Sequence, residues 1–121
     1  MITGVHTILY AHHPEQARAF LSEVLGLPSV DAGRGWLIFA LPPGEVAFHP
    51  TDDPDEAGRC QLYLLCDDLD ATMAQLSAKG AQFTGEIQDH RWGRLATLKI
   101  PGAGDLGLYQ PKHPVAAGMP L

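Results

Sequence analysis

The chain contains the same order of secondary-structure signals twice, and this duplication constrains its fold more than any other feature. Each half begins with an apolar strand candidate (VHTILYA, QLYLLC) and continues with apolar residues at helical spacing. Each half then closes with short strand candidates that end in GEVAFHP or GDLGLYQP. The glycines that end the two helices, Gly26 and Gly80, lie 54 residues apart, and His6 and Gln61 lie 55 apart. This near-constant offset predicts two copies of a βαβββ unit.

Linker and turn signals divide the 121 residues into one domain of two modules. The first module spans about residues 3–50, and the second spans about 60–111. Between them, residues 51–59 form a polar, acidic linker that contains proline and glycine. The tail, residues 112–121, contains proline, glycine and alanine, and we expect it to be loosely ordered.

Each module is predicted to contain one helix and four strands. The first helix begins at Pro14 and ends at Gly26, whereas the second is capped by Asp67 or Asp68 and ends at Gly80. The predicted strands are Val5–Tyr10, Pro28–Ala32, Trp36–Leu41, Glu45–His49, Gln61–Leu65, Gln82–Ile87, Arg94–Ile100 and Asp105–Tyr109.

The period of two along a strand predicts which side chains meet the helices. The apolar residues expected to pack against helices are Val5, Leu9, Val46, Phe48, Leu62, Leu64, Leu106 and Leu108. Their neighbours then line the opposite, concave face: His6, Ile8, Tyr10, Ala47, His49, Gln61, Tyr63, Leu65, Gly107 and Tyr109. The predicted fold class is therefore α+β, with two βαβββ modules forming a curved mixed sheet around a concave pocket and the helices on the outer face. A largely apolar and aromatic lining is typical of a small-molecule pocket.

Charge and cysteine usage argue against several classes of protein. The formal net charge is −6 and there is no basic stripe, which argues against nucleic-acid binding. No stretch approaches the roughly 18 apolar residues of a membrane span. Cys60 and Cys66 lie on one predicted strand, ~20 Å apart, which is too far for a disulfide. We interpret them as reduced core thiols of a cytoplasmic protein.

The two strand–helix openings, VHTILYAHHPEQARAFLSEVLGL and QLYLLCDDLDATMAQLSAKGA, together with GEVAFHP and GDLGLYQP, resemble the vicinal oxygen chelate superfamily. That superfamily includes glyoxalase I, extradiol dioxygenases, and fosfomycin and bleomycin resistance proteins. The resemblance covers Thr3–Pro111 and implies the paired-module fold. It also implies a homodimer, as relatives commonly form, since edge strands need covering. Because one superfold carries many activities, function has to be argued from the site.

Four positions of the concave face supply His, Glu, His and Glu in the metal-bearing members of that superfamily. Carried over strand by strand, they fall on His6, Ala47, Gln61 and Gly107. Alanine and glycine offer no side-chain donor, and an amide is a poor ligand for a transition metal. The resemblance therefore implies a degenerate metal site and no metal cofactor. The alternative is a divalent metal held by a rearranged set of His6, His49 and Gln61.

The residues predicted to bind a ligand are His6, Ile8, Tyr10, His49, Gln61, Tyr63, Trp92 and Tyr109. His6 and Gln61 are the polar anchors, and His6 is the best candidate for an acid–base catalyst. A purely structural interpretation, with His6 bonded to Gln61 and the tyrosines filling the core, is equally open. The loop at residues 88–93 (QDHRWG) is interpreted either as a lid or partner contact, or as an exposed turn with one buried indole.

Three hypotheses for function follow from this pattern. The first is a metal-independent small-molecule-binding protein of the glyoxalase/bleomycin-resistance-like type, which sequesters an antibiotic or a hydrophobic metabolite. The second is a glyoxalase- or dioxygenase-like enzyme in which a divalent metal polarises two vicinal oxygens. The third is a structural or regulatory dimer whose pocket is filled by its own side chains.

Overall fold

The computed structural model describes residues 6–45, 47–48, 50–57 and 59–120, and within them it confirms the α+β class. The helices are α1 (Pro14–Glu23) and α2 (Leu69–Ala78). The strands are β1 (Ser29–Asp31), β2 (Leu37–Phe39), β3 (Tyr63–Leu65), β4 (Phe83–His90), β5 (Gly93–Ile100) and β6 (Gly104–Pro111). β1 and β2 form a two-stranded sheet, and the other four form a mixed, open sheet in the order β3-β6-β5-β4.

The register of the four-stranded sheet fixes what each of its faces carries. β3 runs parallel to β6 and places Tyr63 beside Gly107, and β5 runs antiparallel to β6 and places Leu95 beside Tyr109. Because side chains alternate along a strand, Gly107 and Tyr109 share one face while Leu108 lies on the other. This is the register that the period of two predicts for the second half. A bulge between Thr84 and Gln88 bends the edge strand β4.

Both helices cover the same face of this sheet and close its core. Phe20 of α1 packs among Leu98, Ile100 and Leu106, and Leu69 of α2 packs on Ala96 and Leu108. Leu69 and Leu98 are fully buried. Helix α2 begins at Asp68, whose carboxylate accepts a hydrogen bond from the Ala71 N–H at 3.0 Å, so Asp68 is the cap. The helices therefore lie on the outer face, as predicted, and leave the opposite face open.

The first half forms a short hairpin beside α1. Its turn at residues 33–35 is held by the Asp31 carboxylate, which accepts from the Gly33 N–H at 2.7 Å and the Gly35 N–H at 3.3 Å. The Arg18 guanidinium of α1 lies 5.4 Å from the centre of the Trp36 ring, a cation–π distance that ties the hairpin to the helix.

Two predicted strands of the first half are absent from the described residues. Residues 6–10 lie in no strand and are exposed, up to 89% for Tyr10. Glu45, Ala47 and Phe48 also lie in no strand, and Leu9 and Phe48 are not packed on a helix as predicted. Val5, Val46 and His49 fall outside the described residues. A strand needs a neighbour for its backbone hydrogen bonds, and no described strand pairs with either segment.

The β4–β5 turn and the two thiols also differ from the predictions. β4 continues to His90 and β5 begins at Gly93, so the predicted loop is a two-residue hairpin turn whose indole is half exposed.

Cys60 is exposed and Cys66 is half-buried, and both are free. Burial raises the pKa of the Cys66 thiol.

Described residues of the tail make specific contacts: Nε2 of His113 lies 2.5 Å from the Tyr109 hydroxyl, and the Ala116 N–H donates to the Glu45 carboxylate. The loose order expected of the tail stays a prediction. Within the described part of the chain, no helix combines the length and the apolar character that crossing a bilayer demands.

Candidate ligand-binding face

Three aromatic side chains lie together on the face that the helices leave open. The rings of Tyr63 and Tyr109 meet edge to face with their centres 6.0 Å apart, and Trp92 meets Tyr109 in the same way at 5.5 Å. We name these three rings the aromatic floor. Tyr63 is 36% exposed and Trp92 is 45% exposed, so both present ring surface to a ligand.

Two glycines make room for the tyrosine rings. A Cβ atom on Gly107 would lie 2.2 Å from Cδ1 of Tyr63, and a Cβ atom on Gly93 would lie 2.3 Å from Cε2 of Tyr109. Carbon atoms in contact are normally about 3.5–4.0 Å apart. The two tyrosines can therefore cross β6 and β5 only because those strands carry glycine beneath the rings.

The Tyr109 hydroxyl is held at the edge of the floor. It lies 2.5 Å from Nε2 of His113 and 3.1 Å from the carbonyl oxygen of Trp92. Burial raises the pKa of Tyr109, and the nearby Glu45 carboxylate raises it further. The hydroxyl therefore keeps its proton at neutral pH and remains a hydrogen-bond donor.

His90 extends the aromatic surface beyond Trp92. Its ring stacks on the indole with centres 4.5 Å apart and planes 12° apart, and its Nε2 lies 3.0 Å from Oε1 of Gln88. His90 and Gln88 belong to β4, so the stack is built by one strand end and the turn that follows it. The His90 ring therefore covers one face of the indole.

Of the eight residues predicted to bind a ligand, Tyr63, Trp92 and Tyr109 come together, and His49 lies outside the described residues. No hydrogen bond or ring contact in the described ranges joins His6, Ile8 or Tyr10 to the floor, or His6 to Gln61. Gln61 is exposed and lies two residues before β3. The ligand-binding roles of these residues stay predictions.

The sequence analysis missed two residues at this site, His113 and Glu45. His113 follows the last strand, in a segment without periodicity, and Glu45 comes from the other half of the chain. No periodic signal marks either residue. Glu45 acquires its place through contacts with residues more than seventy positions away, and His113 through its contact with the Tyr109 hydroxyl, four residues before it.

The donor set does not fit a metal of the kind that the family resemblance implies. The ring of Tyr63 fills the space in which a side chain at position 107 would begin. Ala47 has no donor atom, and His6 and Gln61 are exposed. Within the described ranges, no group of three or more His, Cys, Asp and Glu side chains could hold an ion. The sequence-based prediction that no metal is used stays a prediction.

A separate cavity of about 760 Å³ opens at the other end of the sheet. Its lining includes His12, His13, Phe20, Lys99 and Asp105. It contains no residue of the aromatic floor and none of the residues predicted to bind a ligand. We take the aromatic floor as the candidate site because three of the residues predicted to bind a ligand come together there.

Comparison with known proteins identifies relatives that share this fold. The sequence model of one protein family, the Glyoxalase/Bleomycin resistance protein/Dioxygenase superfamily, matches residues 4–106. A comparison with curated proteins gave no match. The structure of TnmS3, an antibiotic binding protein from Streptomyces sp. CB03234, is 30% identical with a TM-score of 0.63, over 92% of this chain and 98% of that one.

A second solved structure extends the comparison to an enzyme. The lactoylglutathione lyase from Agrobacterium tumefaciens is 20% identical with a TM-score of 0.60, over 89% of this chain and 92% of that one. At this identity the likeness concerns the fold. Together with the family match, these similarities confirm the resemblance drawn from the sequence. The chain belongs to the Glyoxalase/Bleomycin resistance protein/Dioxygenase superfamily.

Proposed function

We propose that this protein binds a planar, mostly apolar small molecule on the aromatic floor without a metal, and so sequesters an antibiotic or a hydrophobic metabolite. The observation that carries the proposal is the ring of Tyr63 over Gly107. Where metal-bearing relatives present a carboxylate, this chain presents a stacking surface. The similarity to TnmS3, which is an antibiotic binding protein, supports the same function.

The chemistry of the floor favours a flat aromatic ligand. Stacked or edge-to-face aromatic pairs contribute about 0.5–1.5 kcal/mol each beyond the area they bury. Tyr63 and Trp92 offer ring surface, and the Tyr109 hydroxyl is a polar group at the edge of the floor. Such a surface selects for ring shape more strongly than for a particular pattern of hydrogen bonds.

A binding series on three aromatic residues tests this proposal. The wild-type protein is screened by thermal shift against Nile red and a panel of planar aromatic antibiotics, and the dissociation constants of those that bind are measured. In Tyr63→Ala and Trp92→Ala, affinity should fall about tenfold, the factor that corresponds to one lost ring contact. Trp36→Ala is the matched control, because Trp36 is exposed on the hairpin and outside the floor. Equal affinity in all three variants would contradict the proposal.

Metal analysis tests the enzyme alternative, a glyoxalase- or dioxygenase-like activity at a rearranged metal site. The protein is purified without chelator and its content of zinc, nickel, iron and manganese is measured. We expect less than stoichiometric metal. A stoichiometric ion that is lost in His6→Ala would overturn the metal-free proposal and favour metal-assisted chemistry.

We also propose that two copies of the chain associate. The outer edge of β3 has no neighbour among the described strands, and exposed sheet edges are normally covered. Ile8, Tyr10, Trp36 and Phe48 are all large, apolar and exposed. Sedimentation velocity over a range of concentrations should show a homodimer, and a monomer at every concentration would refute it. The cytoplasmic location stays a prediction.

A further inference from the structure

The segment Lys112–Met119, which follows β6, is tied down at its start beside the β4–β5 turn. The Lys112 N–H donates to the carbonyl oxygen of Trp92 at 2.9 Å. The Lys112 ammonium lies 2.5 Å from the Asp89 carboxylate and donates to the carbonyl oxygen of His90 at 3.1 Å. We name this segment the strap. Its first residue is therefore fixed next to the aromatic floor.

The second attachment of the strap is the contact between His113 and Tyr109. Nδ1 of His113 lies 2.8 Å from the carbonyl oxygen of Pro114, which can only accept, so Nδ1 carries a hydrogen. In the neutral imidazole, Nε2 then accepts from the Tyr109 hydroxyl. In the charged imidazole, Nε2 donates to that hydroxyl, which turns its own hydrogen to the Trp92 carbonyl. The contact is satisfied in either protonation state.

The third attachment joins the strap to the first half of the chain. Oε2 of Glu45 accepts hydrogen bonds from the Ala116 N–H at 2.6 Å and the Ala117 N–H at 3.1 Å. Glu45 also lies close enough to Tyr109 for its charge to act on that phenol. The strap therefore runs from the turn beside Trp92, past the Tyr109 hydroxyl, to Glu45.

We propose that the strap is a gate at the edge of the aromatic floor, latched by His113 on Tyr109 and by Glu45 on the Ala116 and Ala117 amides. The proposal rests on the proposed function, because it concerns access to the same floor. The latches use the Tyr109 hydroxyl and the Trp92 carbonyl, polar groups at the floor itself.

The strap can open without unfolding the sheet. Its latches lie at exposed positions, and Val115 and Met119 keep large parts of their side chains in solvent. Segments with few buried apolar contacts and exposed hydrogen bonds open at low free-energy cost. An obstacle that opens and closes at the mouth of a site slows entry and exit alike, so it changes both rate constants and leaves affinity nearly constant.

Two variants each remove one latch, and each has a matched control. Glu45→Ala removes the carboxylate, with Glu86→Ala, an exposed glutamate of β4, as its control. His113→Phe keeps a ring but loses the hydrogen bond, with His12→Phe, at the start of α1, as its control. All proteins also carry Trp36→Phe, which leaves Trp92 as the single tryptophan.

The first measurements need no ligand. Amide hydrogen exchange at Ala116 and Ala117 should accelerate about 2- to 10-fold in Glu45→Ala, the range that one ordinary hydrogen bond represents. Acrylamide quenching of Trp92 fluorescence should increase in both latch variants. The increase is bounded at about 2-fold, since the indole is already 45% exposed. Amide exchange and quenching that stay at control levels in both variants would overturn the proposal, whatever the protein binds.

The second measurement follows Nile red binding by stopped-flow fluorescence. In His113→Phe, the association and dissociation rate constants should both rise about 2- to 10-fold, while the dissociation constant stays within about 2-fold of the control. A weaker affinity with an unchanged association rate would make the strap part of the binding surface and would overturn the gate. Failure of the parent protein to bind any probe would contradict the proposed function instead. The gate proposal would then be tested by amide exchange and fluorescence quenching alone.

Discussion

Strands β4, β5 and β6 each run for eight residues, whereas β1 and β2 in the first half each run for three. The second half buries a continuous row of apolar side chains beneath α2. The first half leaves Tyr10, Val30, Trp36 and Phe48 exposed. The two halves carry the same order of strand and helix signals in the sequence, but their apolar side chains are buried to very different extents.

The difference shows where the fold obtains its stability. A four-stranded sheet with a helical layer can bury a core, whereas an isolated two-stranded hairpin is marginal. Helix α1 belongs to the first half of the sequence, but its one buried residue, Phe20, lies in the core of the second half. The second half is therefore the scaffold of the floor, whereas the hairpin of the first half contributes no buried residue to the described core.

The largest expected difference between the halves concerns core substitutions. Leu98→Ala in β5 removes a fully buried side chain and should lower the free energy of unfolding by about 2–5 kcal/mol. Ile38→Ala, at the middle of β2, should lower it clearly less, since Ile38 is only half-buried. Urea denaturation measures both. Equal losses of unfolding free energy in the two variants would contradict this difference between the halves.

Glycine substitutions sharpen the comparison at the site itself. Gly107→Glu should destabilise the protein by about 1–3 kcal/mol, the usual cost of overpacking, because the new Cβ would collide with Tyr63. Gly44→Glu in the first half is the matched control, since a Cβ there meets nothing within 4 Å. Both free energies come from urea denaturation.

A second substitution identifies the cause of the Gly107→Glu effect. If the Tyr63 ring is responsible, Tyr63→Ala in the same chain should recover part of the lost stability, so that the two changes are not additive. Strict additivity in the double variant would rule out the ring as the cause.

Helix starts offer a smaller contrast between the halves. Asp68→Ala removes the side-chain cap of α2 and should cost about 1 kcal/mol. At the start of α1, His13 makes no side-chain capping bond, and His13→Ala should change stability by less than about 0.5 kcal/mol. Thermal unfolding of the two variants tests this prediction. A larger loss of stability in His13→Ala than in Asp68→Ala would contradict it.

The smallest effect is a pH dependence of the second half. The Arg94 guanidinium, 3.0 Å from Asp70, holds the pKa of that carboxyl below its ordinary value of 3.8. A depressed pKa stabilises the fold above the unfolded-state value, and the stabilisation is lost as pH falls through the folded-state value. The wild type should therefore have a slightly higher Tm than Asp70→Asn at about pH 7, and the two Tm values should converge at about pH 2. Glu23→Gln, at the end of α1 and outside any described ion pair, should show no such convergence.

The second half could be predicted from its sequence because local patterns and tertiary burial agree there. Alternation along Tyr63–Leu65 and Gly104–Pro111 gave the correct faces, and Asp68 was among the two predicted caps. The aromatic pair Tyr63 and Tyr109 followed from that alternation. Period and capping are local properties, so one sequence suffices to read them.

The parts that were wrong depend on partners distant in sequence. The strand was predicted over Val5–Tyr10. Its described residues, 6–10, have no described strand beside them to complete their hydrogen bonds, and alternation alone cannot supply one. The contacts between Glu45 and the strap span more than seventy residues without any periodic signal. Trp92 was among the predicted site residues, but its stack on His90 depends on β4 reaching His90, whereas the predicted strand ended at Ile87.

The ring of Tyr63 over Gly107 also affects the order in which substitutions could place a carboxylate at this position. A carboxylate at position 107 would collide with the ring and lower stability, so the less costly order replaces Tyr63 first. The intermediate would have given up its stacking surface before gaining a ligand for a cation. Under the proposed function, single substitutions on the aromatic floor would change which flat molecule is bound, whereas a carboxylate at position 107 with unchanged stability would require two substitutions.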